Sequence, residues 1–410
     1  MGALLPPSDL TIPNPGSSTA RDVLSLAIGR LLREIRPLVR EHTALAPAAD
    51  VATFDRLLVT LLRDHPAPLA SVLRRPNVGA LVRTLRRPPS ERDADILCEL
   101  VGLVSFELAV LGELPFEVRL RRFPRRVLSI AGALAVDVPD ATEVVLESGR
   151  MRMTRGGETH AIDLAALRDE TFPVPPGSPW QLRRPFHAID GLTSLALEDN
   201  NPHALDEAHP DKSGNAVDAG TATAATWATS LRSAFALVAQ YLPDLRAEMD
   251  LYLSQIVPVG VFENQHLSAS YREALGTIYL SLHPNPMTMT EALIHEFQHN
   301  KLNALFELDD VLENAFSPLY PSPVRPDPRP LHGVLLAVHA FLPIARLYER
   351  MRAGGHPYAA HGSFGARFDA VVAINHEGAS VVLEHGVPTS IGVGLLDEIR
   401  RWDGHYRCGE

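Results

Sequence analysis

Cysteine is nearly missing from this 410-residue chain: Cys98 and Cys408 are the only two. Neither stands at a thiolate metal-ligand spacing, and no disulfide framework is implied. Cys98, in the apolar Ile96-Leu97-Cys98-Glu99-Leu100, reads as a packed core thiol. Any metal must therefore be held by histidine and carboxylate. Lysine is as scarce, with Lys212 and Lys301 alone, so the basic residues are nearly all arginine. Long apolar runs are also lacking. Residues 96–111 are interrupted by Glu99 and Glu107, residues 334–345 by His339 and Pro343, and neither run reaches the length of a membrane span. The N-terminus has no basic region followed by an apolar core and a small-residue cleavage site. These absences predict a cytoplasmic globular protein with no membrane partner, and no nucleic-acid-binding motif occurs.

What is present is ample material for a core, at 46% hydrophobic residues, and a net charge of −11 that is unevenly spread. Residues 1–130 hold 18 Arg against 14 acids, leaving 20 basic and 35 acidic residues in the rest. A basic end could receive an acidic peptide; a solvated arginine-rich surface explains it more simply.

Periodicity predicts a mainly α (α+β) protein. Residues 1–18, rich in Pro, Ser and Gly, read as a lead-in arm. A helical domain over 19–125 follows, with helices expected at 18–41, 50–63, 68–84 and 90–114. Alternating segments at 142–148, 150–154 and 159–164 define a small β-rich connecting region over 126–215, with turns at Ser148-Gly149 and Gly156-Gly157. A further strand is expected at 192–197, and the polar 199–214 reads as a lid or mobile loop. The catalytic domain over 216–410 opens with helices at 221–242 and 247–255. Strands at 257–261 and 275–282 come next, and the second feeds a long helix over 287–308.

That helix carries His295-Glu296-Phe297-Gln298-His299. Histidines four apart on a helix lie one turn above each other and can aim their rings at one metal ion. A chance match in such a chain is expected on the order of 0.1 times. The alternative is a pair of exposed histidines on an ordinary amphipathic helix. Two histidines do not hold a catalytic metal, so a third protein ligand is required. His332 and His339, on a second long helix from Leu331, are both candidates. His339 is preferred because it lies deep in an apolar stretch, where an unpaired imidazole is costly. A core histidine is its bland reading, and a surface residue is that of His332. His376 and Glu377 are reserve ligands against the simpler reading of a solvated cluster. Asn303 and Glu307 continue the stripe of Glu291, His295 and His299, where carboxylates would orient the histidines. Arg325 and Arg329, in a proline-stiffened loop, could each grip a carboxylate with two parallel hydrogen bonds, or could simply fix the loop. Lys301 points away from the metal and reads as structural.

Taken together, His295-Glu296-Phe297-Gln298-His299-Asn300-Lys301-Leu302, Ser317-Pro318, Arg325-Pro326-Asp327-Pro328-Arg329-Pro330-Leu331 and Gly333-Val334-Leu335 resemble the HExxH family of peptide-modifying proteins. The resemblance spans residues 276–348, somewhat under a fifth of the chain. That family accompanies ribosomally made, post-translationally modified peptides, and some members are 2-oxoglutarate-dependent peptide β-hydroxylases. The resemblance implies Fe(II), 2-oxoglutarate and O2 as cofactors, a precursor peptide as substrate and Glu296 beside the metal. The usual iron set is two histidines and a carboxylate, so a set of His295, His299 and His339 would depart from it. Two other readings stay open. A zinc peptidase would use Glu296 as general base, although no glutamate-bearing third-ligand helix of the usual form follows. A non-catalytic peptide-binding module would hold a structural metal.

Overall fold

The computed structural model describes residues 5–87, 93–169, 171–198 and 216–407. The expected lid at 199–214 and Cys408 lie outside the described residues. The molecule is mainly α (α+β), with 53% helix and 16% strand. In chain order the helices are α1 (Thr19–Glu41), α2 (Ala48–Asp64), α3 (Pro66–Leu73), α4 (Pro76–Thr84), α5 (Asp93–Leu111), α6 (Ala224–Tyr241), α7 (Pro243–Tyr252), α8 (Pro286–Phe306), α9 (Leu331–Ala353), α10 (Gly362–His385) and α11 (Gly392–Arg407). The strands are β1 (Val118–Leu120), β2 (Arg126–Ser129), β3 (Leu134–Asp137), β4 (Glu143–Glu147), β5 (Arg150–Arg155), β6 (Glu158–Asp163), β7 (Gln181–Arg183), β8 (Phe186–Ala188), β9 (Ser194–Ala196), β10 (Gln255–Val261), β11 (Ser268–Ala269), β12 (Thr277–Leu282), β13 (Leu319–Tyr320) and β14 (Arg329–Pro330).

The single helix expected over 68–84 is two helices. Arg75 precedes a proline and is pushed to extended backbone (ψ 131°), so α3 stops and Pro76 restarts the chain as α4. Pro243 likewise opens α7 four residues earlier than the expected helix.

Two hydrophobic cores organise these elements. One gathers the C-terminal half of α1, through Leu31, Ile35 and Val39, with α2–α5 and the β1–β4–β5–β6 sheet. The second gathers the N-terminal half of α1, through Ala20, Val23 and Ala27, with α6–α11 and one face of β10 and β12. Helix α1 therefore belongs to both. The arm is seated inside the second core rather than lying on the surface. Leu10, Thr11 and Ile12 are buried, the Thr11 and Ile12 amides donate to Glu398 of α11, and the Gln298 amide of α8 donates to the Thr11 carbonyl (2.7 Å).

The sheet that carries the HExxH helix has the order β11–β12–β10–β9–β8. Strand β10 runs parallel to both β12 and β9, while β11 is antiparallel to β12 and forms the edge. Strand β12 is buried throughout, because Ile278, Leu280 and Leu282 face α8 and Tyr279 faces the opposite side. The free edge near α8 thus belongs to β11, not to the strand that leads into the helix. Helix α9 is the one described helix long and apolar enough to cross a membrane, and 72% of that window is buried among its neighbours.

Candidate metal centre

Helix α8 starts as its sequence dictates: the Asn285 side chain accepts from the Met287 amide and Pro286 takes the first turn. The chain is fixed against the sheet by Asn300, whose Oδ1 accepts from Gly276 N (2.8 Å). Its Nδ2 donates to Ser270 Oγ, Thr277 O and Glu296 O. Gly276 has φ +95°, and a Cβ there would meet the Tyr252 carbonyl at 3.0 Å, so glycine lets the backbone come this close. Ser270 Oγ also donates to Glu296 O (3.0 Å), which stitches the end of the edge strand onto the turn of α8 that carries the motif.

This scaffold brings together the ligand atoms of His295, Glu296 and His299, all within 4.8 Å of one another. The two imidazole rings meet edge to face at 4.4 Å. Burial, with His299 as neighbour, pushes the His295 imidazole down to about 3, so it is neutral at physiological pH and carries a lone pair. Glu296 is 2% exposed, and its Oε2 is buried without a hydrogen-bond partner. An orphaned carboxylate oxygen beside a neutral imidazole pair is a donor set that a divalent cation would satisfy. A metal ion fits these residues.

Helix α9 runs antiparallel to α8, with Tyr348 opposite Glu291, Phe341 opposite His295 and His332 opposite Phe306. The residue that α9 turns toward His295 is Phe341 (ring centroids 5.0 Å). His339, two residues earlier, points to nearly the opposite side of that helix and is not in the His295–Glu296–His299 cluster. It is fully buried, and neither ring nitrogen makes a well-formed hydrogen bond. Desolvation, with Lys301 and His299 in its surroundings, holds it well below the ordinary histidine range. The apolar burial that recommended it as a ligand is that of a core residue.

The remaining candidates are distributed as follows. His332 stacks between Phe306 and Phe316, and burial pushes its imidazole down to about 4. His376 bonds Asp403 of α11 (2.9 Å), and Glu377 lies beside it on the exposed face of α10. Glu307 does not orient an imidazole. Burial works against its charge, but Arg83, Arg86 and Arg272 hold it below its usual range, so it ties α8 to α4. Asn303 is buried one turn beyond His299. Arg329 pairs with Asp327 (2.9 Å) on β14, which leads into α9 beside Phe306. By helix rise Phe306 is about 10 Å along α8 from His299, and Arg325 lies in the same loop. The arginine that the structure ties to the histidine stripe is Arg367 of α10. Sequence reasoning missed it. It binds both oxygens of Glu291, one turn before His295, and Tyr348 donates to the same carboxylate (2.6 Å). Nothing in the local sequence around Arg367 marks it; only the fold brings α10 to this face.

The chain matches no protein-family model and no curated protein, so the likeness to HExxH peptide-modifying proteins rests on its motif residues.

Proposed function

We propose that this protein is a metal-dependent enzyme of peptide modification, an Fe(II)- and 2-oxoglutarate-dependent β-hydroxylase of a side chain in a ribosomally made precursor peptide. The observation that carries the metal reading is the convergence of His295, Glu296 and His299 within 4.8 Å at the edge of a sheet. With 2-oxoglutarate and O2, a bound iron would supply hydroxylation: a peptide C–H becomes C–OH while the oxo acid becomes succinate and CO2. His295 and His299 hold the metal. The neutral state of His295 keeps its ring available as a ligand without first losing a proton. Phe341 walls the site with an apolar ring, which limits water beside the reacting carbon. The carboxylates of the cosubstrate need a cation. Arg325 and Arg329 remain the arginines that the resemblance implies, and Arg367 adds a guanidinium one helical turn from His295. The unpaired edge of β11 suits an extended peptide, whose backbone would add as a further strand.

A second reading has its own observation. Glu296, with a buried and unpartnered Oε2 among the histidines, is also where a zinc peptidase needs its general base. Anaerobic addition of Fe(II) and 2-oxoglutarate to metal-free protein distinguishes the two. A saturable visible charge-transfer band, lost in His299→Ala, supports the hydroxylase; tight zinc binding with no band moves the assignment to hydrolysis. Glu296→Gln then abolishes peptide cleavage but leaves oxo-acid binding in place.

A further inference from the structure

The cluster on α8 holds two imidazoles and one carboxylate, and α9 turns Phe341 rather than a ligand toward it. Another side chain must close the site if a catalytic metal is to have three protein ligands besides Glu296 in its neighbouring role. The segment leading into β11 supplies one. His266 stands two residues before the edge strand, on the segment that Ser270 stitches to the motif turn of α8. Continuing the register of Ser268 with Leu280 sets position 266 opposite Leu282, on the side of the sheet that faces α8. Its Nδ1 lies 3.2 Å from Ser281 Oγ, and its Nε2 is buried with no hydrogen-bond partner. It is close enough to His295 to oppose protonation of that ring, and its own ring is neutral through burial. A ring held by one nitrogen and unsatisfied at the other has the form of a metal-binding histidine, whose far N–H is normally given to an oxygen. His283, the other imidazole in the neighbourhood, instead uses its Nδ1 to accept the Asn285 amide before α8.

We propose that His266 is the third protein ligand, so that a divalent metal is held by His295, His299 and the Nε2 of His266, with Glu296 left beside it as an acid–base group. In the tautomer required, Nδ1–H donates to Ser281 Oγ. That oxygen also accepts the Leu267 amide (2.8 Å), so Ser281 fixes both the strand and the ring. The inference rests on the metal reading above but does not depend on whether the chemistry is oxidative or hydrolytic. It replaces His339 in the ligand set and leaves one side of the metal facing the β11 edge, where a peptide would lie.

Cobalt(II) gives a test without turnover. Metal-free protein is titrated with Co(II) while the visible d–d band and the paramagnetically shifted ring N–H resonances are followed. Wild type is expected to show a shifted N–H from His266 that His266→Gln lacks. His266→Gln should weaken Co(II) binding by at least about 100-fold, and Ser281→Ala by about 10-fold, as for loss of an outer hydrogen-bond partner. His339→Leu should change neither band nor affinity. Should His266→Gln fail to fold, the wild-type spectrum still decides: three histidine signals support the inference and two overturn it. If His266→Gln keeps both affinity and spectrum while His295→Ala loses them, His266 is not a ligand and the metal centre stands. If His295→Ala also binds Co(II) unchanged, the centre itself is misassigned.

Discussion

The two sides of α8 carry polar groups at equal depth and treat them in opposite ways. On one side Lys301, fully buried, meets Glu248 of α7 (2.5 Å), Gln298 donates to the carbonyls of Thr11 and His339, and Asn300 engages four partners. On the other, Glu296 keeps an oxygen without a partner beside His295 and His299. A buried polar group that finds its partner fixes a packing arrangement; one denied a partner stores an unsatisfied interaction that a ligand can release. The motif therefore has a structural half, Gln298-Asn300-Lys301, and a chemical half, His295-Glu296-His299.

The sharpest way to break this division is Lys301→Met. It leaves Glu248 buried and uncompensated, and burial already raises that carboxyl despite the lysine. Loss of one member of a buried pair costs about 3–5 kcal/mol, so urea denaturation at pH 7 should show most of the protein's stability lost. Adding Glu248→Leu should restore a large part of it. Metal affinity should be unchanged in the double variant. If it falls with stability, the two sides of α8 are not independent.

The mirror experiment is His295→Ala. Removing a direct ligand should lower Co(II) or Zn(II) affinity by more than the roughly 10–100-fold that outer partners cost. The thermal midpoint of the metal-free protein should hold or rise, because a desolvated imidazole is removed. A large fall in the midpoint without metal would mean that His295 belongs to the structural half.

Much of this was legible in the chain. The helix at α8, its start at Pro286, and the pairing of His295 with His299 follow from a spacing of four and from capping residues, which are local signals. The structural role of Lys301 followed from the same helical geometry. What was illegible depends on which elements meet. Burial in an apolar stretch recommended His339, but burial does not say which side of α9 faces α8, and that side presents Phe341. Arg367 and His266 reach the centre only because α10 packs on α9 and β11 folds back along β12, pairings set by contacts far apart in sequence. The arm at residues 5–18 looked like a surface lead-in by composition. Its Leu10 and Ile12 are in the core because Glu398 and Gln298, hundreds of residues away, satisfy its backbone.

The smallest effect separates two kinds of buried histidine. His339 is neutral in the fold, held well below the histidine value of about 6.5 that applies once the chain unfolds. The unfolded chain therefore binds the extra proton first. The stability that comes from keeping this ring neutral is complete above about pH 6.5 and is lost as pH falls below it, by about 1.4 kcal/mol per unit for each such group. His332, pushed down to about 4, acts in the same direction. His339→Leu should make unfolding in urea less steeply dependent on pH between 6.5 and 5, with stability at pH 7.5 equal to or above wild type, because no partner of its ring is orphaned. Cobalt binding should not move. A variant that loses cobalt and keeps the wild-type pH slope would show that His339 reaches the metal from the far side of α9, and the division between the two sides of α8 would have to be redrawn.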